Sequence, residues 1–84
     1  MNVAKEIKSD DFSIVIASVP HRENCICEIY YDGNQWVEIY KEGETAMIEF
    51  HSHSDLKFWD LPLDLALDVL NQAKELYLYG KYES

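Results

Sequence analysis

The stretch EIYYDGNQWVEIYKEGETAMIEFHSH, residues 28–53, decides the fold of this chain, because apolar and polar residues alternate along it between turn signals. Alternation with a period of two is typical of β-strands that bury one face. The turn signals are DGN at 32–34 and KEGE at 41–44. Together with the β-branched run that Pro20 closes, the pattern predicts a four-stranded antiparallel meander with strands at 11–20, 25–31, 35–40 and 45–51.

The turn residues also predict the register of the strands. Gly33 suits the left-handed position of a three-residue loop, Tyr31–Gly33, while Glu42 and Gly43 suit a two-residue loop. The expected pairs are Ile29 with Gln35, Cys27 with Val37, Cys25 with Ile39, Ile39 with Ala46 and Val37 with Ile48. One face of the sheet then becomes wholly apolar and should form the core: Val15, Ala17, Val19, Cys25, Cys27, Ile29, Val37, Ile39, Ala46, Ile48 and Phe50.

The opposite face, called the acidic face below, combines carboxylates with aromatic side chains and contains no Lys or Arg. Its expected members are Ile26, Glu28, Tyr30, Trp36, Glu38, Tyr40, Thr45, Met47, Glu49 and His51, with Phe12, Ile14 and Ile16 beside them. Trp, Tyr and carboxylates together suit the binding of protein surfaces rich in Arg and Lys. Two alternatives stay open: a second small core under the N-terminal segment and the loop 52–60, or a homodimer contact.

The C-terminal segment should cover the apolar face as a helix over 62–79. Ala66, Val69, Leu70, Ala73, Leu76 and Tyr77 recur at helical spacing. Pro62 fits the first turn, and Gly80 is placed to end the helix. The N-terminal VAKEIK could form one short helical turn. The expected fold is therefore a single α+β domain, 1–84, with four strands and one helix packed on one face of the sheet.

The charge balance indicates the kind of partner. The chain has 84 residues and a net charge of −9, which allows one small domain with a strongly acidic surface. Eleven acids against two lysines lie between Glu23 and Asp68, and these account for the whole excess, 11 − 2 = 9. Such a field repels nucleic acid and anionic membranes and attracts cationic proteins. Acidity that only supports solubility is the alternative.

Other kinds of site find little support in the sequence. Cys25 and Cys27 with His51 and His53 supply zinc-ligand atoms, but the register puts Cys27 and His51 on opposite faces. The same geometry separates any Cys–His nucleophile pair, so we expect no enzyme, metal or cofactor. Both cysteines are interpreted as reduced packing residues. The N-terminus lacks the pattern of a signal peptide and no apolar run reaches membrane-spanning length, so a cytoplasmic protein is expected.

One resemblance adds to this interpretation. A meander followed by FWDLPLDLALDVLNQAKELYLYG, with Trp59-Asp60-Leu61-Pro62-Leu63 entering the helix, resembles the small acidic immunity proteins of bacterial polymorphic toxins, including those of contact-dependent growth inhibition. The resemblance implies tight binding of one cognate toxin domain, often a basic nuclease, and inhibition by covering its active site or substrate groove. It assigns no residue by position.

The residues and the resemblance together predict a non-enzymatic inhibitor, monomeric or weakly dimeric, that binds a cationic toxin domain without contacting nucleic acid or membrane. The partner-binding residues expected from the register are Glu28, Tyr30, Trp36, Glu38, Tyr40 and Glu49, with Asp32, Glu42 and Glu44 at the rim. A nucleic-acid-mimicking regulator of a host DNA- or RNA-binding protein is the alternative. A small enzyme or metal protein that uses the histidines is a third.

Overall fold

The structure, a computed structural model, describes residues 2–9, 11–53 and 55–80, apart from the side chain of Asn2. The elements in chain order are β1 (Asn2–Lys8), β2 (Phe12–Ser18), β3 (Ile26–Tyr31), β4 (Asn34–Glu42), β5 (Thr45–Phe50) and α1 (Leu63–Lys74), which continues as a π-helical turn, Glu75–Tyr79. Within the described ranges, five strands form one antiparallel sheet in the order β1-β2-β3-β4-β5. The predicted α+β fold with one C-terminal helix is confirmed, but the prediction of four strands is wrong.

The additional strand is β1, where the sequence predicted a short helical turn. It pairs with β2 so that Ile7 lies opposite Ile14. A single helical turn is marginal by itself, because nucleation fixes several residues for one hydrogen bond. Pairing with β2 instead satisfies the backbone groups of β1 that face this strand. The predicted helical turn is therefore wrong, since pairing with the next strand along the chain overrides the local preference.

Both predicted turns differ from the structure by one residue: the first is one residue shorter, and the second lies one residue further along the chain. Asp32 and Gly33, with φ of 50° and 82°, form a two-residue turn between Tyr31 and Asn34 rather than a three-residue loop. In the next hairpin the loop is Gly43-Glu44, not Glu42-Gly43. As a result Ile39 lies opposite Ile48 instead of Ala46. This shift of two residues leaves each side chain of β5 on its predicted face, because the side-chain period of a strand is two.

A β-bulge places Trp36 on the core side of the sheet. The register shifts between the pairs Ile29–Val37 and Tyr30–Gln35, so that Trp36 is the extra residue of β4. Its ring is 6 % exposed and belongs to the core, with its centroid 6.0 Å from that of Phe12 and 6.5 Å from that of Phe50. The predicted position of Trp36 on the acidic face is therefore wrong.

The two faces of β2 are opposite to the prediction. Ile14 lies beside Ile29 and Ile16 beside Cys27, so Phe12, Ile14 and Ile16 belong to the core under the helix. Val15 lies beside Glu28 instead, and Ala17 beside Ile26, on the acidic face. The seven-residue connection between β2 and β3 begins with a turn in which the Arg22 N–H bonds to the Val19 carbonyl, but the connection is too long for its sequence to fix which side chains of β2 face the helix.

The helix covers the sheet through Val69, Ala73 and Tyr77, as the helical spacing predicted. At its C-terminal end the Tyr77 hydroxyl donates a hydrogen bond of 2.6 Å to the carbonyl of Cys25, which ties the π-helical turn to the start of β3. Gly80 follows the last turn with its N–H bonded to the carbonyl of Leu76. A Cβ at Gly80 would collide with that carbonyl oxygen, so a close approach explains the glycine. The predicted helix over 62–79 is confirmed.

Coverage by the helix stops before β5. Ile48 is 41 % exposed, Phe50 is 64 % exposed, and Ala46 is exposed as well. The prediction that these three side chains are buried in the core is therefore wrong, although they do lie on the helix side of the sheet. In the described part of the chain, no helix combines the length and the apolar character needed to cross a membrane.

Candidate functional site

Three glutamates lie directly beside one another on neighbouring strands of the acidic face. Glu28 of β3 is opposite Glu38 of β4, which is opposite Glu49 of β5. We call these three residues the acidic row. Side chains in such cross-strand positions have Cβ atoms about 4.5 to 5.5 Å apart, and like charges there repel. Glu28 and Glu38 are only 7 % and 5 % exposed, whereas half of the Glu49 side chain is open to solvent.

Arg22 partly neutralises the acidic row from the connection between β2 and β3. Its Nε is 3.1 Å from Oε2 of Glu38, with hydrogen-bond geometry, and its Nη2 is 3.8 Å from Oε2 of Glu49. The guanidinium carbon also lies 3.7 Å from the ring centroid of Tyr40, a cation–π contact. Alternation along the strands gave no sign of this arginine, because its position depends on how a seven-residue connection folds back over the sheet.

His51 extends the cluster beyond the end of β5. Its backbone is fixed, since its N–H donates to the carbonyl of Trp36 at 2.9 Å and its carbonyl accepts from Nε1 of Trp59 at 2.6 Å. Nε2 of His51 is 3.2 Å from Oε1 of Glu49, close enough for an ion pair but without hydrogen-bond geometry. One ligand atom each of Glu38, Glu49 and His51 lies within 4.8 Å of the others, so this trio could hold a divalent cation.

Glu28 is charged only at an energetic cost. Burial raises the pKa of its carboxyl above the ordinary value, and the neighbouring Glu38 raises it further. The Tyr30 hydroxyl, which donates to Oε1 of Glu28 at 3.3 Å, acts in the opposite direction, as do His51 and His21. Burial raises the pKa of Tyr30 too, and the charge of Glu28 adds to that rise. The acidic row thus holds negative charge in a poorly solvated place.

The structure brings together most of the predicted binding residues. Glu28, Tyr30, Glu38, Tyr40 and Glu49 share the acidic face, and Trp36 does not. The predicted rim residues are exposed, but Asp32 lies in the turn at one end of the sheet, while Glu42 precedes and Glu44 lies in the turn at the other end. They therefore lie at the two ends of the acidic face and do not surround it.

The segments expected to cover the acidic face as a second core lie elsewhere in the described ranges. β1 extends the sheet at its edge. Trp59, from the segment before α1, packs against the main core, and its ring centroid lies 4.6 Å from that of His53.

Beside Arg22, a cavity of about 380 Å³ opens between the β2–β3 connection and the β4–β5 turn, lined among others by Glu23, Tyr40 and Glu42.

The cysteines lie away from the acidic row. Cys27 is fully buried on the core side, and burial raises the pKa of its thiol to about 12, with the charge of Glu28 as a further cause. Cys25 is half-buried, and both thiols are free. A thiol with so high a pKa is a weak nucleophile and a poor metal ligand at neutral pH.

Compared with known proteins, the chain matches no family model, no curated protein and no solved structure. Function is therefore argued from the site itself. Chemically, the acidic row can accept hydrogen bonds from cationic groups, hold a proton on Glu28, or take part in binding a cation.

Proposed function

We propose that this protein is a non-catalytic inhibitor that binds a cationic protein through its acidic face, as an immunity protein binds its toxin. The observation that carries the proposal is the acidic row, in which the guanidinium of Arg22 pairs with the carboxylates of Glu38 on β4 and Glu49 on β5, while Glu28 lies beside them on β3. Like charges placed side by side cost stability. A partner that brings further cations would relieve that repulsion, so the arrangement favours binding over stability.

A partner's Arg or Lys has a route to this site. Glu49 is the half-exposed end of the row, and the ring of Tyr40 already supports one guanidinium beside it. The cavity next to Arg22 is lined by two more carboxylates, those of Glu23 and Glu42, and by one further cation, Lys41. The net charge of −9 would speed the encounter with a basic surface over longer distances.

The aromatic part of the proposed surface differs from the one that the sequence predicted. Trp36 is a core residue, so its replacement should lower stability first and affect binding only as a consequence. Tyr40, half-buried beside Glu38 and Glu49, takes the place of the aromatic anchor. A toxin nuclease domain fits these requirements, because a surface that binds nucleic acid is cationic.

The test is copurification of the tagged protein from its source cells, identification of the bound protein, and calorimetric titration of the purified pair. We expect a basic partner, and Glu49→Lys should weaken binding by about 2 kcal/mol or more. Glu75→Lys is the matched control, because it makes the same charge change at an exposed position on the helix side. It should leave the affinity nearly unchanged.

Two outcomes would contradict the proposal. One is a bound protein without a basic surface, and the other is an equal loss of affinity in Glu49→Lys and Glu75→Lys. Inhibition of a nuclease activity of the partner would identify a toxin. A partner that is a host DNA- or RNA-binding protein would instead identify the regulator that the same acidic face could serve.

A further inference from the structure

One edge of the sheet presents backbone groups that have no strand beside them. β5 pairs with β4 alone, and Glu42 and Thr45 flank the two-residue turn between them. The N–H of His51 also points to β4. Because successive residues of a strand direct their backbone groups to alternate sides, the odd-numbered residues of β5 bond to β4. The N–H and C=O groups of Ala46, Ile48 and Phe50 therefore point away from the sheet.

The opposite edge of the sheet differs in ways that discourage pairing. β1 carries Lys5 and Lys8, and its register with β2 is interrupted at Ala4. Charged side chains and bulges are the usual means by which proteins protect an edge strand. β5 contains no Lys, Arg or Pro, and its register with β4 is continuous. Only the β5 edge of the described sheet is thus left suited to accept another strand.

An apolar strip and a groove accompany this edge on the helix side. Ile48 and Phe50 are exposed because α1 stops short of β5. Beside Ala46 and Ile48, a groove of about 220 Å³ runs along the helix, lined by Ile39, Leu70 and Leu78 as well. Apolar cavities of about 150 Å³ accept a benzene ring, so the groove has room for an aromatic side chain.

We propose that a second copy of this chain pairs with β5, antiparallel, about a two-fold axis at Ile48. In this register Ile48 faces the partner's Ile48, and Ala46 faces the partner's Phe50. All three residues with outward backbone groups then form hydrogen-bonded pairs. The partner's Phe50 lies next to Ala46, where the groove can receive its ring. The small Ala46 thus lies against the large Phe50 of the partner, and the two-fold axis repeats this contact in the other copy.

The same register separates the acids of the two copies. On the acidic face Glu49 lies opposite the partner's Met47, so no carboxylate faces another across the new strand pair. An axis at Met47 would instead pair Ile48 with Ala46 and place Phe50 opposite Glu44, outside the strand. That arrangement keeps two hydrogen-bonded pairs within the strands instead of three, and it places the partner's Ile48 rather than its Phe50 beside Ala46. The axis at Ile48 is the one that uses the whole edge.

The net charge gives this dimer a distinctive salt dependence. Each copy carries −9, so the two copies repel one another and added salt screens the repulsion. The dimer should therefore tighten as NaCl is added, whereas binding of a cationic protein through the acidic face should weaken. The test needs no such partner, so its outcome is independent of the function proposed above.

The experiment is sedimentation equilibrium of the purified protein over a range of concentrations at low and at physiological NaCl. We expect a monomer–dimer equilibrium whose dissociation constant falls with salt. Phe50→Lys and Ile48→Lys should each raise that constant at least about tenfold, as loss of an interface anchor does. Ile7→Lys is the matched control on the β1 edge, because Ile7 is 37 % exposed against 41 % for Ile48, and it should leave the constant unchanged.

Cross-linking tests the register itself. Hydrogen-bonded antiparallel pairs have Cα atoms about 5.5 Å apart, within the range that a disulfide spans. Ile48→Cys should therefore form a disulfide-linked dimer on mild oxidation, and Ile7→Cys should not. Circular dichroism would establish that each variant is folded. A monomer at every concentration, an association that weakens with NaCl, or equal effects of Ile7→Lys and Ile48→Lys would overturn the proposal.

Discussion

At the scale of single residues, the buried charge of Glu28 lowers the stability of the fold. Burial and the adjacent Glu38 raise the pKa of its carboxyl, so the folded state binds this proton more tightly than the unfolded state does. The resulting loss of stability is absent below the ordinary pKa of 4.5 and develops as the pH rises through the folded value. We expect Glu28→Gln to raise the free energy of unfolding at neutral pH by about 1 kcal/mol, mainly because a neutral amide costs less to bury than a carboxylate, and also because the repulsion from Glu38 is removed.

The advantage of Glu28→Gln should shrink as the pH falls toward 4.5, where the parent side chain is neutral as well. Thermal melts of both proteins across this pH range measure the difference. Glu75→Gln, which removes an exposed carboxylate from the helix side, is the control and should show little effect. If the difference in stability between the parent and Glu28→Gln were the same at all pH values, Glu28 would not be the source of this penalty. If Glu28→Gln also weakens partner binding, the carboxylate is retained for function at the expense of stability.

At the scale of elements, the contact between the π-helical turn and the start of β3 connects the two ends of the core. The Tyr77 hydroxyl is buried and donates to the carbonyl of Cys25, 52 residues away in sequence. Tyr77→Phe keeps the ring but leaves that carbonyl without this donor. Its expected cost is about 1 kcal/mol of the free energy of unfolding, measured by urea denaturation.

Tyr79→Phe provides the matched control for this contact. Tyr79 lies two residues further along the same turn and is 68 % exposed, so its replacement should change stability by less than about 0.5 kcal/mol. If the two variants were equally stable, the hydrogen bond between Tyr77 and Cys25 would not contribute to anchoring the helix.

At the scale of the whole molecule, self-repulsion opposes the compact state. A net charge of −9 on 84 residues repels itself more strongly when folded than when unfolded. Raising NaCl from about 0.01 M to about 0.15 M shortens the Debye length from about 30 Å to about 8 Å. The melting temperature should rise over this interval. Sodium chloride is the suitable salt, because sulfate would stabilise the fold by a different mechanism.

A less acidic variant checks the origin of that rise. Replacing the exposed Glu42 and Glu44 by Gln reduces the charge to −7, since −9 + 2 = −7. The salt-dependent increase in melting temperature should then be smaller than in the parent. An unchanged increase would indicate that local repulsion, such as that between Glu28 and Glu38, determines the salt response instead of the overall charge.

The sequence by itself determined the parts of this protein that depend on neighbouring residues. The alternation of apolar and polar residues around two glycine-containing turns predicted three strands and the face that each side chain of β5 occupies. The helical spacing of apolar residues predicted the C-terminal helix. The turn before β5 lies one residue from its predicted place, but this did not change the predicted faces of the β5 side chains, because the strand pairing shifts by two residues. Glu28, Glu38 and Glu49 were accordingly predicted to share one face.

Other features depend on contacts between separate elements, and these were set when the chain folded. β1 became a strand because β2 offered it an edge, and β2 turned Ile14 and Ile16 to the core because Ile29 and Cys27 lay beside them. The bulge moved Trp36 from one face to the other, which no alternation pattern encodes. Arg22 reached the acidic row because a seven-residue connection folds over the sheet. In each case the deciding energy is strand pairing, packing or charge between different elements of the fold, and local preference is weaker than these.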